Sequence, residues 1–258
     1  MADHVELLES VLYRTAKRSG DGTLEERDDW VQLTTPQASS EFRNGILRCV
    51  VDESEADARI DAAIAHYGTL NVPFRWFVTP STRPLDLAER LEAKGFVQDP
   101  VLLAMVANPA AFPRPTDDSI RIEWIDASGI ETWLQCQVEG WGMPPPAIER
   151  FRKELTRRLA AQPQTSEYCV AYKNGVPSGS ASMTHFDGFT HFNGAEVAPR
   201  ARRQGIYRAL CLERMRVLRA RGVTLVTNHC RQDTSAPICT RMGFDTICAF
   251  KVYVFGKA

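Results

Sequence analysis

The sequence predicts a mixed α/β fold in two halves, each with helices packed on a mixed β-sheet. Apolar residues recur at helical spacing in some segments and alternate as in strands in others. Residues 108–118 place three prolines between two apolar strands, which indicates an interdomain linker. The segments LEAKGF (91–96) and CTRMGF (239–244) resemble each other, and each precedes a strand. We therefore expect one domain over residues 1–115 and a second over residues 116–258.

The composition excludes several classes of protein. The 258 residues are 44% apolar and 24% charged, as in an ordinary globular protein, and the formal net charge of −1 gives no overall attraction to nucleic acid or membrane. No apolar run reaches about 18 residues, so we expect no membrane span. The first residues lack the order of a secretory signal. The seven cysteines are odd in number and form no C-x-x-C pair, so we expect reduced thiols, a cytoplasmic location and no metal site.

The first half alternates strands and helices. The predicted elements are strand 46–51, helix 56–67, strand 74–79 and helix 85–94, which ends in Gly95-Phe96. The acidic segment 52–55 lies where the first of these helices begins. Acidic side chains favour a helix N-terminus but repel phosphate, so we expect no phosphate-bearing ligand here.

The second half has a longer series of elements. The predicted elements are strand 120–124, helix 130–139, turn 140–146, helix 147–161, strands 168–172 and 176–186, a further strand ending near residue 197, a helix ending near residue 221, strand 223–228 and the short helical segment 234–244. Asn174-Gly175 predicts a two-residue hairpin turn, and Asp187-Gly188 starts the next hairpin.

Residues 194–210 are the most informative stretch. A short strand ends in Val-x-Pro, a turn rich in arginine and glycine follows, and then a helix begins. Backbone amides at a helix start have no internal partners, and the helix dipole adds positive charge there. With Gly205 allowing close approach and the arginines supplying charge, this turn predicts an anion site. The alternative is an ordinary strand–helix–strand unit without a ligand.

The spacing Arg202-x-x-Gly205-x-Tyr207 resembles the pyrophosphate motif R/Q-x-x-G-x-G/A of the GNAT acyltransferase superfamily, the coenzyme-A-dependent N-acetyltransferases. Tyr207 departs from it, because the motif ends in a small residue. The predicted order β-α-α-β-β-β-α-β-α-β, closing with Gly-Phe, resembles the GNAT core over residues 119–258. The resemblance implies a GNAT fold in the C-terminal half and a degenerate GNAT-like domain in the N-terminal half. For that first half, an unrelated α+β cap is the alternative.

The resemblance implies transfer of an acetyl or other short acyl group from acyl-CoA to the amine of a small molecule, with no covalent enzyme intermediate and no metal. The backbone amide of Val197 would stabilise the developing oxyanion. The coenzyme phosphates would lie against the backbone from residue 203 to residue 208, with Arg200 and Arg202 nearby. The expected coenzyme-binding residues are Val197, Arg202, Arg203, Gln204, Gly205, Ile206, Tyr207 and Arg208.

The acceptor ammonium must lose a proton before it attacks, which calls for a general base. The candidates are Glu196, His191, His185 and His229, of which Glu196 and His191 lead. On a regular strand residues 191 and 196 face opposite sides, so only one of the two would face the cleft unless a bulge intervenes.

Cys239 is the candidate acid for the departing thiolate. The family places a tyrosine four residues before the closing Gly-Phe glycine, and Cys239 occupies that position. A thiol of pKa near 8.5 matches the expected coenzyme thiol, so proton transfer between them would be nearly balanced. The alternative is a buried cysteine that acts as a small hydrophobic residue.

The acceptor site is expected beside the loop at 140–146. Trp141 and Met143 on this loop, with Trp133 upstream, would wall the site, and His229 would lie where the pantetheine slot opens. Burial of these tryptophans in the core is the alternative.

Two other functions remain open from the sequence. Tyr207 and Cys239 depart from the family pattern, which favours a non-catalytic acyl-CoA-binding or regulatory module. Arginines are dense between residues 200 and 221, which would suit an aminoacyl-tRNA as donor or acceptor. The eight are Arg200, Arg202, Arg203, Arg208, Arg214, Arg216, Arg219 and Arg221. Phosphate contacts at one end and a solvated helix face at the other would equally explain them. We expect a small-molecule amine as partner, no membrane, no nucleic acid, and a monomer or homodimer.

Overall fold

The computed structural model describes residues 2–18, 20, 22–36, 38, 40–113 and 119–256. Within them the α-helices are α1 (Ala2–Lys17), α2 (Glu53–Leu70), α3 (Leu87–Ala93), α4 (Ile130–Trp141), α5 (Pro145–Ala160), α6 (Ile206–Ala220) and α7 (Ser235–Met242). The strands are β1 (Thr23–Glu26), β2 (Trp30–Thr34), β3 (Gly45–Cys49), β4 (Phe74–Val78), β5 (Val97–Ala107), β6 (Ile120–Trp124), β7 (Ser166–Lys173), β8 (Val176–Phe186), β9 (Phe189–Val197), β10 (Val226–Arg231) and β11 (Asp245–Phe255).

The chain forms two compact units. Unit 1 comprises residues 1–105, 230–237 and 246–258, and unit 2 comprises residues 106–229 and 238–245. The predicted division at residue 115 places the last strand in the second domain, whereas the structure groups β11 with unit 1. The predicted linker lies partly outside the described residues, and its described part forms a short 3₁₀ turn at Pro109–Ala111.

Unit 1 contains a sheet in the order β1-β2-β3-β4-β11-β5. Strands β3 and β4 are parallel and are connected by α2, whereas β11 runs antiparallel to β4. Helix α2 buries one face against an aromatic core. There the Tyr67 and Phe74 rings stack with centroids 4.2 Å apart, and the Trp76 and Trp30 rings meet edge to face at 5.5 Å. Tyr253 of β11 belongs to the same core.

Unit 2 contains a sheet in the order β10-β9-β8-β7-β6. Helix α6 connects β9 to β10, which are parallel, and packs on one face of the sheet through Ile206 and Leu210. Helix α4 packs on the other face through Trp133 and Leu134. Asn174 and Gly175 both adopt positive φ, which confirms the predicted hairpin between β7 and β8.

The mixed α/β fold class predicted from the sequence is confirmed, and the elements of unit 2 follow in the expected order. In the first half, the sequence did not reveal α1, β1 or β2. None of the helices within the described ranges is long and apolar enough to cross a membrane.

Candidate active site

The turn between β9 and α6 exposes the start of a helix. A 3₁₀ turn at Pro199–Ala201 leads into residues 202–205, which are exposed. Arg203 has φ of 64° and Gly205, the residue before the helix, has φ of 81°. A Cβ on Gly205 would meet nothing closer than 3.8 Å, so its conformation, rather than the surrounding space, favours glycine. The exposed residues 202–205 therefore lead directly into the first turn of α6, where helix amides have no partner within the helix and can bind an anion.

Strands β9 and β10 pair only as far as Phe192, which lies opposite Asn228. Beyond that pair, β9 continues to Val197 along β8. The end of β9 thus lies directly before the exposed turn. This arrangement brings the Val197 backbone and the start of α6 into one region, as expected for a coenzyme site.

The Val197 backbone is engaged by two side chains. Its N–H donates to Oε1 of Glu196 at 3.1 Å, and its carbonyl accepts from Nε of Arg202 at 3.3 Å. Nη2 of Arg202 also lies 3.2 Å from the same Glu196 oxygen. The Glu196 side chain is 13% exposed and that of Arg202 is 54% exposed. The predicted oxyanion donor, base and phosphate ligand therefore form one connected group.

Gly140 allows α4 to approach this group. A Cβ at this position would overlap the Cγ and Cδ atoms of Glu196, and the Gly140 carbonyl accepts from Nη2 of Arg202 at 3.5 Å. The neighbouring carboxylate of Glu139 pairs with Nε of Arg200 at 3.3 Å. The C-terminal end of α4 therefore closes over Glu196, which the sequence did not indicate.

A β-bulge changes the facing of the candidate bases. Ala181 pairs with Ala195 and Ser182 with Asn193, so Gly194 is the extra residue. Because of this insertion, Glu196 and His191 lie on the same face of the sheet. Glu196 and His191 can therefore both face the cleft, as expected where a bulge intervenes. They do not face opposite sides, as they would on a regular strand.

His191 is nevertheless buried. Its Nδ1 lies 2.9 Å from Oγ1 of Thr227, and its ring centroid lies 5.0 Å from that of His229. Burial, followed by the charges of His229 and Arg214, lowers the pKa of His191 well below its usual 6.5. A neutral, enclosed imidazole is a weaker candidate for direct contact with an acceptor than Glu196 is.

Arg214 of α6 was expected to face either phosphate or solvent, but only 1% of it is exposed. Its Nη1 donates to the Ser182 carbonyl at 3.0 Å and to the Asn193 carbonyl at 3.5 Å, and these two residues form the cross-strand pair next to the bulge. Its guanidinium lies 3.8 Å from the centre of the Phe192 ring. The structure therefore corrects the expectation, because Arg214 supports the bulge that sets the facing of β9.

Cys239 is fully buried beside two polar groups. The Tyr207 hydroxyl lies 3.5 Å from its Sγ, and Nδ2 of Asn228 lies 3.8 Å from it. Its hydrogen bond with Cys211, followed by burial, raises the pKa of the Cys211 thiol well above 9.0. These surroundings suit a packed thiol. The catalytic role of Cys239 stays a prediction, and the Tyr207 side chain extends from the start of α6 toward this thiol.

The expected acceptor residues differ in position. Trp141 ends α4 and is 46% exposed, and Met143 is partly exposed in the following loop. Trp133 is buried, donates from Nε1 to the Ala181 carbonyl at 3.2 Å and packs edge to face against Tyr168. His185 contacts Thr190 rather than this group. Trp141 and Met143 therefore stay candidates for acceptor contact, and Trp133 belongs to the core.

Polar side chains line the sheet face that carries Glu196. Gln137 of α4 donates to the Ser180 hydroxyl at 2.8 Å, and Asn193 donates to the Thr184 hydroxyl at 2.7 Å. Ser180, Thr184 and Thr227 are fully buried. Sequence periodicity alone gives no signal for this face, because isolated Ser and Thr in strands are common. Across the part of the chain that the structure describes, no group of His, Cys, Asp and Glu could hold a metal ion.

Part of the chain is similar to a known protein family. The acetyltransferase (GNAT) family matches the chain over residues 127–244. No curated protein sequence matches the chain significantly.

Solved structures resemble the chain over most of its length. A GCN5-related N-acetyltransferase from Kribbella flavida is 15% identical with a TM-score of 0.73, over 98% of this chain and 96% of that one. A conserved protein of unknown function from Staphylococcus epidermidis ATCC 12228 is also 15% identical, with a TM-score of 0.72 over 92% and 95%. A tandem GNAT protein from the clavulanic acid biosynthesis pathway is 14% identical, with a TM-score of 0.54 over 89% and 79%.

At these identities the structural likeness establishes the fold, and the family match establishes the domain. The exposed turn before α6 lies inside the matched segment, as does the carboxylate at the end of β9. The chain therefore carries a domain of the acetyltransferase (GNAT) family at residues 127–244 and shares its fold with GCN5-related N-acetyltransferases, a tandem GNAT protein among them.

Proposed function

We propose that the protein is an N-acyltransferase that moves an acetyl or other short acyl group from acyl-CoA to the amine of a small molecule. The observation that carries this proposal is the exposed turn at residues 202–205, which lies directly after the Val197 backbone and beside Glu196. Acyl transfer from acyl-CoA to an amine needs an anion site for the coenzyme phosphates, a donor for the thioester carbonyl oxygen and a base for the attacking amine. Unit 2 offers a candidate for each within one group of residues.

The phosphates would lie against the amides at the start of α6. Arg203, Gln204 and Arg208 are exposed there and would add charge and hydrogen-bond donors. Gly205 at positive φ lets the backbone approach the phosphate oxygens closely. Ile206 and Tyr207 would contribute mainly through the backbone, because their side chains pack inward.

The acyl oxygen would accept from the Val197 N–H, and Glu196 would take the proton from the acceptor ammonium. A positioned base of this kind contributes about 10²- to 10⁴-fold to the rate. The polar face around Ser180 and Asn193 favours an acceptor with hydrogen-bonding groups, and Trp141 and Met143 would bound it on the loop side. His229 and His191 would set the electrostatics behind the base.

Two measurements test this function. Calorimetry with coenzyme A on the intact chain should detect one site, and a thiol-release assay with acetyl-CoA across a panel of amines should identify a turned-over acceptor. Gly205→Ala should weaken coenzyme binding. Gly188→Ala is its matched control, because Gly188 also has φ of 81° but lies in the β8–β9 hairpin. Absence of coenzyme binding, or an equal effect of both substitutions, would contradict the proposal.

Variants of the candidate proton-transfer groups test the roles. Glu196→Gln should lower turnover by about a hundredfold or more, because the amine loses its base. Cys239→Ala should keep most of the activity, because a thiolate of matched pKa leaves without help at pH 7. An inactive Cys239→Ala beside active Glu196 and His191 variants would show that these roles are reversed.

The non-catalytic module stays the second candidate, favoured by Cys239 at the position of the family's tyrosine. Coenzyme binding without thiol release from any amine would support it. A role for RNA is less favoured, because several arginines of the 200–221 stretch already have protein partners: Arg200, Arg202, Arg214, Arg216, Arg219 and Arg221. Loss of activity in a ribonuclease-treated cell extract would reverse that judgement.

A further inference from the structure

The ion pair of Glu196 and Arg202 occupies both ends of the candidate donor site. Glu196 Oε1 sits 3.1 Å from the Val197 N–H, the atom that an acyl oxygen would contact. Arg202, one of the charges expected to meet the phosphates, has its Nη2 3.2 Å from that same carboxylate oxygen. In this arrangement the protein's own side chains satisfy the groups that the donor would need.

We propose that acyl-CoA binding releases the Glu196–Arg202 pair, so that Glu196 becomes a base only after the donor is in place. The proposal rests on the acyl-CoA-dependent function above. The coenzyme pyrophosphate withdraws Arg202 from the carboxylate, and the acyl oxygen replaces Glu196 Oε1 on the Val197 N–H. Glu196 then has its carboxylate available for the acceptor ammonium, and Arg202 acts as a positioning residue that connects the two sites.

The charges favour this exchange. The Arg202 side chain is 54% exposed and that of Glu196 is 13% exposed, so water screens the arginine more than it screens the carboxylate. A pyrophosphate carries more negative charge than a carboxylate and matches the planar guanidinium with two hydrogen bonds. Arg202 therefore has a stronger partner available when the coenzyme is bound.

The surroundings limit where Glu196 goes after release. The end of α4 lies against its side chain, since a Cβ on Gly140 would overlap it. Movement toward α4 is therefore blocked, and the carboxylate must rotate along the polar face that would hold the acceptor. The same contact keeps the released base near the reacting atoms.

A double-mutant cycle on coenzyme A affinity tests the inference. Without the carboxylate charge, Arg202 is held at this position more weakly and meets the pyrophosphate more readily, so Glu196→Gln should bind coenzyme A about three- to tenfold more tightly by calorimetry. Arg202→Met should weaken binding, and in that background Glu196→Gln should have almost no further effect. Glu196→Ala provides a second variant, and thermal melting checks that each protein is folded.

Glu139→Gln is the matched control, because Glu139 pairs with Arg200 of the same turn but does not contact the Val197 N–H. It should change the affinity less than twofold. Equal effects of Glu196→Gln and Glu139→Gln would attribute the gain to general electrostatics and overturn the proposal. An undiminished effect of Glu196→Gln in the Arg202→Met background would overturn it too. No coenzyme binding to the wild type would defeat this proposal and the proposed function together, whereas normal binding without coupling defeats this one alone.

A second readout is the chemical environment of the Val197 amide itself. The Val197 amide resonance in an ¹⁵N correlation spectrum of the free protein should shift in Glu196→Gln, because its charged acceptor is lost. It should also shift when acetyl-CoA is added to the wild type. An amide that responds to neither change would show that Glu196 does not occupy the donor site.

Discussion

At the scale of single residues, Glu196 and His191 differ in what encloses them, although the bulge places them on one face. Glu196 has contacts with the Val197 amide and with Arg202, and both of these can exchange for a ligand. The buried His191 side chain contacts the Thr227 hydroxyl, and the charges of His229 and Arg214 lie near it. The two residues are therefore suited to different tasks, one to chemistry and the other to the stability of the neutral interior.

Burial of His191 predicts an acid-dependent loss of stability. Its folded-state pKa lies below the unfolded value of 6.5, so the unfolded chain binds the additional proton. This contribution to stability is complete above pH 6.5 and is lost as the pH falls below it, by up to about 1.4 kcal/mol per pH unit. Denaturant unfolding between pH 7 and pH 5 should show a steeper loss for the wild type than for His191→Gln. Parallel curves would contradict the assignment.

At the scale of elements, sequence patterns predicted what depends on local chemistry. Asn174-Gly175 gave the hairpin and Arg202-x-x-Gly205 gave the turn before α6, because positive φ and exposed amides leave a signature in a few adjacent residues. The bulge at Gly194 left no such signature. Its geometry depends on Arg214, twenty positions later, which donates to the carbonyls of Ser182 and Asn193 beside the bulge.

The C-terminal end of α4 could not be predicted either. Residues 140–146 combine glycine and proline and so predict a loop, yet α4 includes Gly140 and Trp141, and α5 begins at Pro145. The glycine inside the helix is needed for a contact with Glu196 that lies far away in sequence. Tertiary packing, rather than helix propensity, fixes this boundary.

Alanine substitutions at two helical glycines should therefore change the stability of the protein in opposite directions. Gly68 in α2 has nothing within 4 Å of an added Cβ, so Gly68→Ala should stabilise the protein by about 0.5–1 kcal/mol. Gly140→Ala should displace Glu196 or α4, costing about 1–3 kcal/mol of stability and most of the activity. Thermal unfolding with thiol-release assays compares the two. A Gly140→Ala variant as active as Gly68→Ala would show that α4 does not confine Glu196.

At the scale of the whole molecule, β11 completes the sheet of unit 1 although it follows unit 2 in the sequence. In unit 1, β11 lies between β4 and β5, and its Tyr253 hydroxyl donates to Glu92 at 3.0 Å. The local pattern of residues 245–255 predicts a strand but carries no information on which sheet receives it. The division of domains expected from the linker prolines therefore assigned β11 to the second half.

Removal of residues 245–258 should open the sheet of unit 1. Strands β4 and β5 lose the strand between them, and the aromatic core loses Tyr253. Hydrogen–deuterium exchange should therefore become fast in peptides covering β4 and β5. Tyr253→Phe is the graded control, because it removes only the hydroxyl contact and should cost about 1 kcal/mol. Slow exchange in the truncated chain would show that unit 1 does not depend on β11.

This arrangement has a consequence for biosynthesis. The ribosome makes β4 and β5 first, but it makes the strand that belongs between them only after the intervening residues 108–244. At about 5 to 20 residues per second, synthesis of these intervening residues takes about 7 to 27 s. During that interval the edges of β4 and β5 lack their partner strand, and the aromatic core beside them is incomplete. Chaperones bind surfaces of this kind, and such surfaces also promote aggregation. The protein's yield in a cell should therefore depend on how quickly β11 is made and paired with β4 and β5.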